Sequence, residues 1–150
     1  MRILVQVVKS AEVRAQDERL GKINRGYLLL VGFTHGDHLP LVKKMAEKVL
    51  SLRIFPDEKG QTNKSIYDVQ GEILSVSQFT LYGSVKNGRR PSFTNSLPGS
   101  EAAKLYEAFN RYLRELYGPI QTGRFSADME VELINDGPFT ILLDSEELYG

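Results

Sequence analysis

No cysteine occurs among the 150 residues, which removes disulfides, thiolate zinc sites and cysteine nucleophiles together. Catalysis must therefore come from oxygen, nitrogen or a bound partner. A charge surplus is missing too, since 19 basic residues balance 19 acidic ones. No apolar run nears the roughly 18 to 20 residues that span a bilayer. The apolar start Ile3-Leu4-Val5 is interrupted by Gln6 and Lys9 before a signal-peptide core forms. The expectation is a cytoplasmic protein without a membrane partner. Hydrophobic residues at 41% and charged residues at 25%, with 13 Gly and 6 Pro, exclude disorder, collagen and coiled coil. No repeat, low-complexity tract or linker divides the chain, so one domain over residues 1–150 is expected.

What is present is unevenly placed. Residues 125–150 hold Asp128, Glu130, Glu132, Asp136, Asp144, Glu146 and Glu147 and no Lys or Arg, which leaves a basic surplus over residues 1–124. That surplus allows a face for nucleic-acid phosphates, and equally a solvated surface beside an acidic tail strand. Apolar runs predict a strand at 2–8, a turn near Lys9-Ser10, a short strand through Val13 and a buried strand over Tyr27–Phe33. A helix is predicted over 39–52, with Val42, Met45, Ala46, Val49 and Leu50 on one face, Asp37 as cap and Pro40 in the first turn. The run 72–79 reads as a strand with two unusual interior serines, Ser75 and Ser77. A second helix is predicted over 100–117, capped by Ser100, with Leu105, Phe109, Tyr112, Leu113 and Leu116 as its buried stripe. The alternation 129–133, a turn at Asn135-Asp136-Gly137-Pro138 and the run Phe139–Leu143 read as a hairpin. The fold class expected is α/β in the mixed α+β sense: a mainly antiparallel, barrel-like sheet with two main helices.

Chemistry-bearing residues are few. The only histidines, His35 and His38, flank Asp37 between a strand and a helix, where a turn and helix cap explain them without a metal. Gly-x-Ser-x-Gly and Gly-x-x-x-x-Gly-Lys are both absent, and no histidine has an evident role near Ser75 or Ser77. Neither a metal nor another cofactor is expected. Three stretches remain: Ser77-Gln78-Phe79-Thr80-Leu81, Lys86-Asn87-Gly88-Arg89-Arg90-Pro91-Ser92-Phe93 and Asn135-Asp136-Gly137-Pro138-Phe139-Thr140. Taken singly, they read as an edge strand ending in a turn, a solvated basic loop and an ordinary hairpin. The second also joins three positive charges to Phe93 with no acid, the mix that grips phosphates and stacks a base.

Taken together, these stretches resemble the D-aminoacyl-tRNA deacylase family of the bacterial and eukaryotic type. Its two signature segments match Ser77 to Thr80 and Asn135 to Thr140. The likeness continues through Leu52-Arg53-Ile54-Phe55, Gly88 to Phe93 and Thr122-Gly123-Arg124-Phe125, so it covers essentially the whole chain. Phe139 stands where the family usually has Val, and Val7 where an Arg commonly follows the Gln. The resemblance implies hydrolysis of the ester joining a D-amino acid to the terminal adenosine of tRNA, with the adenosine 2′-hydroxyl helping to activate water. It implies a pocket shaped by Ser77 and Gln78, with backbone N–H groups of Phe79 and Thr80 holding the oxyanion. Thr80 as nucleophile is the rival role, without a nearby base to activate it. Gly137-Pro138 would be cis and reach into the other subunit of a homodimer, with Thr140 in the same motif, although sequence alone favours trans. That turn would block L side chains, accept D ones broadly and leave glycyl-tRNA, including tRNA(Ala) mischarged with glycine, as a substrate. Lys86, Arg89, Arg90 and Phe93 would bind the tRNA, with no DNA partner expected. A non-catalytic RNA-binding module and a hydrolase of small D-amino acid esters or amides are the other classes open to the residues alone.

Overall fold

Alternating apolar residues at the start of the chain form one long strand, β1 (Arg2–Ala15), instead of two strands about a turn. Lys9 and Ser10 are absorbed as irregularities in its pairing, where the register shifts between Gln6 and Val8 and again between Val8 and Ser10. No Gly, Pro or Asn stands there to reverse the chain, and the shifts move the buried phase from Val7 to Val8. The reversal comes later, at Gln16 and Asp17, whose φ values of 51° and 64° lead into a strand that the sequence reading did not resolve, β2 (Glu18–Ile23). The buried run becomes β3 (Gly26–Gly32), antiparallel to β1. The computed structural model describes residues 1–150.

Helix α1 (Leu39–Ser51) buries Val42, Met45, Ala46, Val49 and Leu50, the face its periodicity predicts. Its cap is His38, whose Nδ1 accepts the Leu41 N–H at 3.3 Å. Asp37 is not the cap, because its carboxylate is already engaged by the Thr34 N–H at 2.8 Å and the Met1 ammonium at 2.9 Å. Two short strands, β4 (Phe55–Pro56) and β5 (Thr62–Lys64), pair around the expected turn. Strand β6 (Glu72–Ser77) runs parallel to β3 and stops at Ser77, two residues short of the sequence reading. There the chain tightens into a 3-10 turn, Phe79–Tyr82.

Helix α2 (Gly99–Leu116) begins after Pro98, with no side-chain cap, so Ser100 does not cap it. Its buried side is Ala102, Tyr106, Ala108, Phe109, Asn110 and Leu113. Leu116 is 39% exposed and lies outside that stripe, since the helix turns its Tyr106 face to β6. Strand β7 (Gln121–Thr122) adds to β6 in parallel. The expected C-terminal hairpin is instead one strand, β8 (Glu130–Asp144), both halves of which pair antiparallel with β1. Asn135-Asp136-Gly137-Pro138 bulges without reversing, because Thr140 pairs with Gln6 and Asn135 with Val8. A short helix not foreseen, α3 (Ser145–Tyr149), closes the chain.

The fold is therefore mixed α+β, with a sheet in the order β2-β1-β3-β6-β7, β8 beside β1, and β2 returning near β7 to nearly close a barrel. The α1 and α2 faces pack with one side of the sheet into a core that includes Tyr27, Phe55 and Phe109. Each such fully buried apolar side chain contributes about 1.5–3 kcal/mol. Val8, Ala11, Val13, Ile23, Leu28, Leu74 and Val76 form a smaller core on the other side. No helix is long and apolar enough to cross a membrane.

Candidate active site

A cleft of about 410 Å³ opens where β3 and β6 end beside the start of α2. Its walls include Gly32 and Phe33, Ser77, Gln78 and Phe79, Leu97 and Ala102, and the segment Phe125 to Met129. Gly32 lets the walls meet, because a Cβ there would lie 2.8 Å from the Gln78 carbonyl and 3.2 Å from Leu81 Cβ. The parallel β3–β6 pair brings these strand ends together at one edge, the usual location for a site in such sheets.

Behind the cleft, Ser75 is fully buried. Its carbonyl accepts the Tyr106 hydroxyl at 2.8 Å and the Gly123 N–H at 3.0 Å, which ties β6 to α2 and to the segment after β7. Burial pushes the Tyr106 hydroxyl above its ordinary pKa, keeping it a donor. Ser77, two residues on and so on the same face of β6, is half-buried in the cleft wall.

The Gln78 N–H is committed to the Val31 carbonyl at 2.8 Å, and Leu81 N–H to the Gln78 carbonyl at 3.3 Å. Phe79 and Thr80 thus lead the 3-10 turn, where the first N–H groups have no acceptor within the turn. Phe79 lines the cleft and is 58% exposed, whereas Thr80 lies just beyond the lining. The Thr80 hydroxyl accepts a hydrogen bond from the Gln78 side-chain amide, a group with no basicity to activate it.

The basic loop stands next to this turn. Phe93 meets Phe79 edge to face, with ring centres 5.1 Å apart. Ser84 and Ser92 close the loop through two backbone hydrogen bonds of 2.8 Å, leaving Lys86, Arg89 and Arg90 exposed and without ion-pair partners. His35 holds the loop's far end through Nε2 and the Thr94 carbonyl, at 2.8 Å. His35, Asp37 and His38 are thus engaged separately, in a loop anchor, a turn and a cap.

Gly137, Pro138 and Thr140 are not in the cleft of their own chain. They lie on the exposed β8 bulge, where the Gly137–Pro138 bond is cis and Gly137 has φ +141°. Asn135 staples the bulge: its Oδ1 accepts the Phe139 N–H at 2.6 Å, and its Nδ2 donates to Thr140 Oγ1 at 2.9 Å. Val7 is buried opposite the bulge. The wall Phe125 to Met129 escaped the sequence reading beyond Phe125, although Ser126, at φ +68°, belongs to it. Its only sequence signal was its place directly after Thr122-Gly123-Arg124-Phe125.

The family model for D-Tyr-tRNA(Tyr) deacylase matches residues 4–144. The chain belongs to that family. It is similar to a D-aminoacyl-tRNA deacylase of Lactobacillus helveticus, 51% identical over 144 residues, covering 96% of this chain and 99% of the relative. A D-aminoacyl-tRNA deacylase of a Geobacillus species is 49% identical over 150 residues, covering 100% of this chain and 99% of the relative. Among solved structures, the c-Myc DNA Unwinding Element Binding Protein superposes with a TM-score of 0.91 at 41% identity, covering 96% of this chain and 98% of that one. A probable eukaryotic D-amino acid tRNA deacylase shares the fold, with a TM-score of 0.82 at 18% identity over 95% and 97% of the two chains. Family membership makes the chain a hydrolase of D-aminoacyl-tRNA and sets aside a non-catalytic RNA-binding module.

Proposed function

We propose that residues 1–150 form one cytoplasmic deacylase domain that hydrolyses D-aminoacyl-tRNA at the Ser77–Thr80 cleft and works as a homodimer. The observation that carries this reading is the position of Phe79 and Thr80 at the N–H end of a turn on the cleft edge. An aminoacyl ester is already activated, so two preorganised donors at its oxyanion, each worth about 2.7–4 kcal/mol in other enzymes, supply much of the acceleration. Ser77 and Gln78 shape the pocket. The terminal 2′-hydroxyl of the substrate helps activate the attacking water, which matches a cleft lined by no histidine or lysine. Water attacks the ester carbon, the oxyanion collapses, and tRNA leaves with its 3′-hydroxyl restored as the free amino acid is released.

The Gly137-Pro138 bulge, exposed and outside its own cleft, enters the cleft of the other subunit as the chirality filter, with Thr140 bracing it through Asn135. Its backbone accepts the substrate's α-amino group and collides with an L side chain, so D side chains are tolerated broadly. Glycine has none to reject, and glycyl-tRNA, including glycine on tRNA(Ala), is cleaved as well. Lys86, Arg89 and Arg90 meet acceptor-end phosphates, and Phe93 backs Phe79 as a stacking surface. The same charges would attract DNA, but the scissile ester is carried on RNA, so RNA is the partner proposed.

Two comparisons test the chemistry. D-Tyrosyl-tRNA with a terminal 2′-deoxyadenosine should react far more slowly than the natural substrate, and equal rates would remove the substrate's hydroxyl from the mechanism. Phe79→Ala keeps the backbone donor, whereas Phe79→Pro removes it at a position where proline suits the start of a turn. Phe79→Pro should be slower than Phe79→Ala by about 10²–10³-fold, and matching rates would discard the oxyanion role.

A further inference from the structure

The carbonyls of the 3-10 turn are held by three partners from different parts of the chain. Phe79 carbonyl accepts the Ser96 hydroxyl at 3.0 Å, and Thr80 carbonyl the Gly83 N–H at 2.9 Å. Leu81 carbonyl accepts Arg2 Nη1 at 2.7 Å. Arg2 is the one that arrives from a distant strand. Its Nε donates to Asp144 Oδ2 at 3.0 Å, and its guanidinium lies over Tyr82, 4.5 Å from the ring centre. One planar fork thus grips the turn twice, at Leu81 and Tyr82, while β8 holds the fork. An ammonium lacks the directional fork that serves two separated acceptors while stacking on a ring.

The strands do not need this arrangement for their pairing. Arg2 and Asp144 face each other at the end of a backbone ladder that runs to Arg14 and Glu130. Asp144 caps α3 through its other oxygen, Oδ1, which accepts the Glu146 N–H at 3.0 Å. We infer that Arg2 is a positioning residue for deacylation: it fastens the carbonyl end of the Phe79–Tyr82 turn to the β1–β8 pair and so fixes the Phe79 and Thr80 N–H groups at the cleft. This rests on the oxyanion role proposed above. The strand pair that anchors Arg2 also carries the Gly137-Pro138 bulge, so turn and filter share one support.

The test uses the full chain with Arg2→Ala and Arg2→Lys, D-tyrosyl-tRNA in single-turnover reactions, uncharged tRNA for affinity, and circular dichroism for folding at the assay temperature. Arg2→Ala should be slower by about tenfold or more, the scale expected when a reacting group is misplaced by a fraction of an ångström to an ångström. Its tRNA affinity should stay within about twofold, because the phosphate contacts are elsewhere. Methylguanidinium added to the buffer should restore part of the rate, and Arg2→Lys should fall between Arg2→Ala and the wild type. A residue that merely held the fold together would lower the melting temperature without a guanidinium-dependent rate. The inference is overturned by a folded Arg2→Ala at the wild-type rate, by a rate loss matched by lost tRNA affinity, or by no response to methylguanidinium. Should Arg2→Ala not fold, a wild-type rate in Arg2→Lys overturns it equally. Equal rates for Phe79→Pro and Phe79→Ala would remove the oxyanion role and this inference together, whereas a deficit there with a normal Arg2→Ala removes only the role of Arg2.

Discussion

Asn135 uses one side chain to hold three points of the β8 bulge: the Phe139 N–H, the Phe139 carbonyl and the Thr140 hydroxyl. Asn135→Ala should loosen the filter at a cost of roughly 1–2 kcal/mol, since a net hydrogen bond contributes about 0.5–1.5 kcal/mol. The expected readout is a lower ratio of D- to L-tyrosyl-tRNA cleavage, and an unchanged ratio would count against a filtering bulge. Gly137 is constrained more directly. At φ +141° a side chain is strained, and a Cβ would lie 3.0 Å from the Phe139 nitrogen and 3.3 Å from its Cβ. Gly137→Ala should therefore distort the bulge, lower D-substrate cleavage and leave tRNA binding intact. Thr80 is the opposite case. Its hydroxyl is paired with the Gln78 amide and its proposed role belongs to the backbone, so Thr80→Ala should keep substantial activity. Abolished chemistry with intact tRNA binding would instead assign the hydroxyl as the nucleophile.

Elements were legible where one period ruled them. Helix α1 follows its 3.6-residue pattern because a single face meets the core, and β3 is a buried apolar run because it is covered on both sides. Strands β2 and β7 were not legible, since Glu18–Ile23 carries little apolar alternation and Gln121–Thr122 gains its pairing only from β6. Asn-Asp-Gly-Pro resembles a hairpin turn, but β1 offers a partner to both sides of it, and tertiary pairing outweighed the local signal. The cleft itself was half visible: Ser77 and Gln78 stood out as polar residues at the end of an apolar run, and Ser77 to Thr80 and Phe125 through the family resemblance, while Ser126 to Met129 belongs to it only through folding. At this scale the basic loop gives a salt-dependence prediction. Arg89→Ala with Arg90→Ala should weaken tRNA binding and reduce the slope of log K against log salt by about one unit per lost contact. An unchanged slope would leave the loop as a solvated surface. The β1–β8 end gives one in pH. Burial acts to raise the Asp144 pKa, but hydrogen bonds from Arg2 and the Glu146 N–H bring it below its ordinary value of 3.8. A depressed carboxyl stabilises the fold above its unfolded pKa and loses that contribution as pH falls through the folded one. The melting-temperature gap between wild type and Asp144→Asn should therefore be widest near neutrality and close below about pH 4; a gap independent of pH would place the effect outside the charge.

On the whole molecule, β8 is the long edge of the sheet, paired only with β1, and it exposes Ile134 and Leu142 at 56% and 48%. An edge of this kind favours association unless it is covered. In the proposed homodimer, each bulge serves the other subunit's cleft. A heterodimer of one Phe79→Pro subunit with one Gly137→Ala subunit should then keep one of its two sites whole and recover about half the activity, whereas a filter acting within its own chain would leave both sites damaged. The central claim is chirality proofreading without a metal, and deacylation rates of matched D- and L-tyrosyl-tRNA, with and without chelator, test it most directly. The account predicts fast cleavage of the D form, no cleavage of the L form above the uncatalysed rate and no effect of chelator. Equal cleavage of both forms, or activity lost to chelator and restored by zinc, would contradict it.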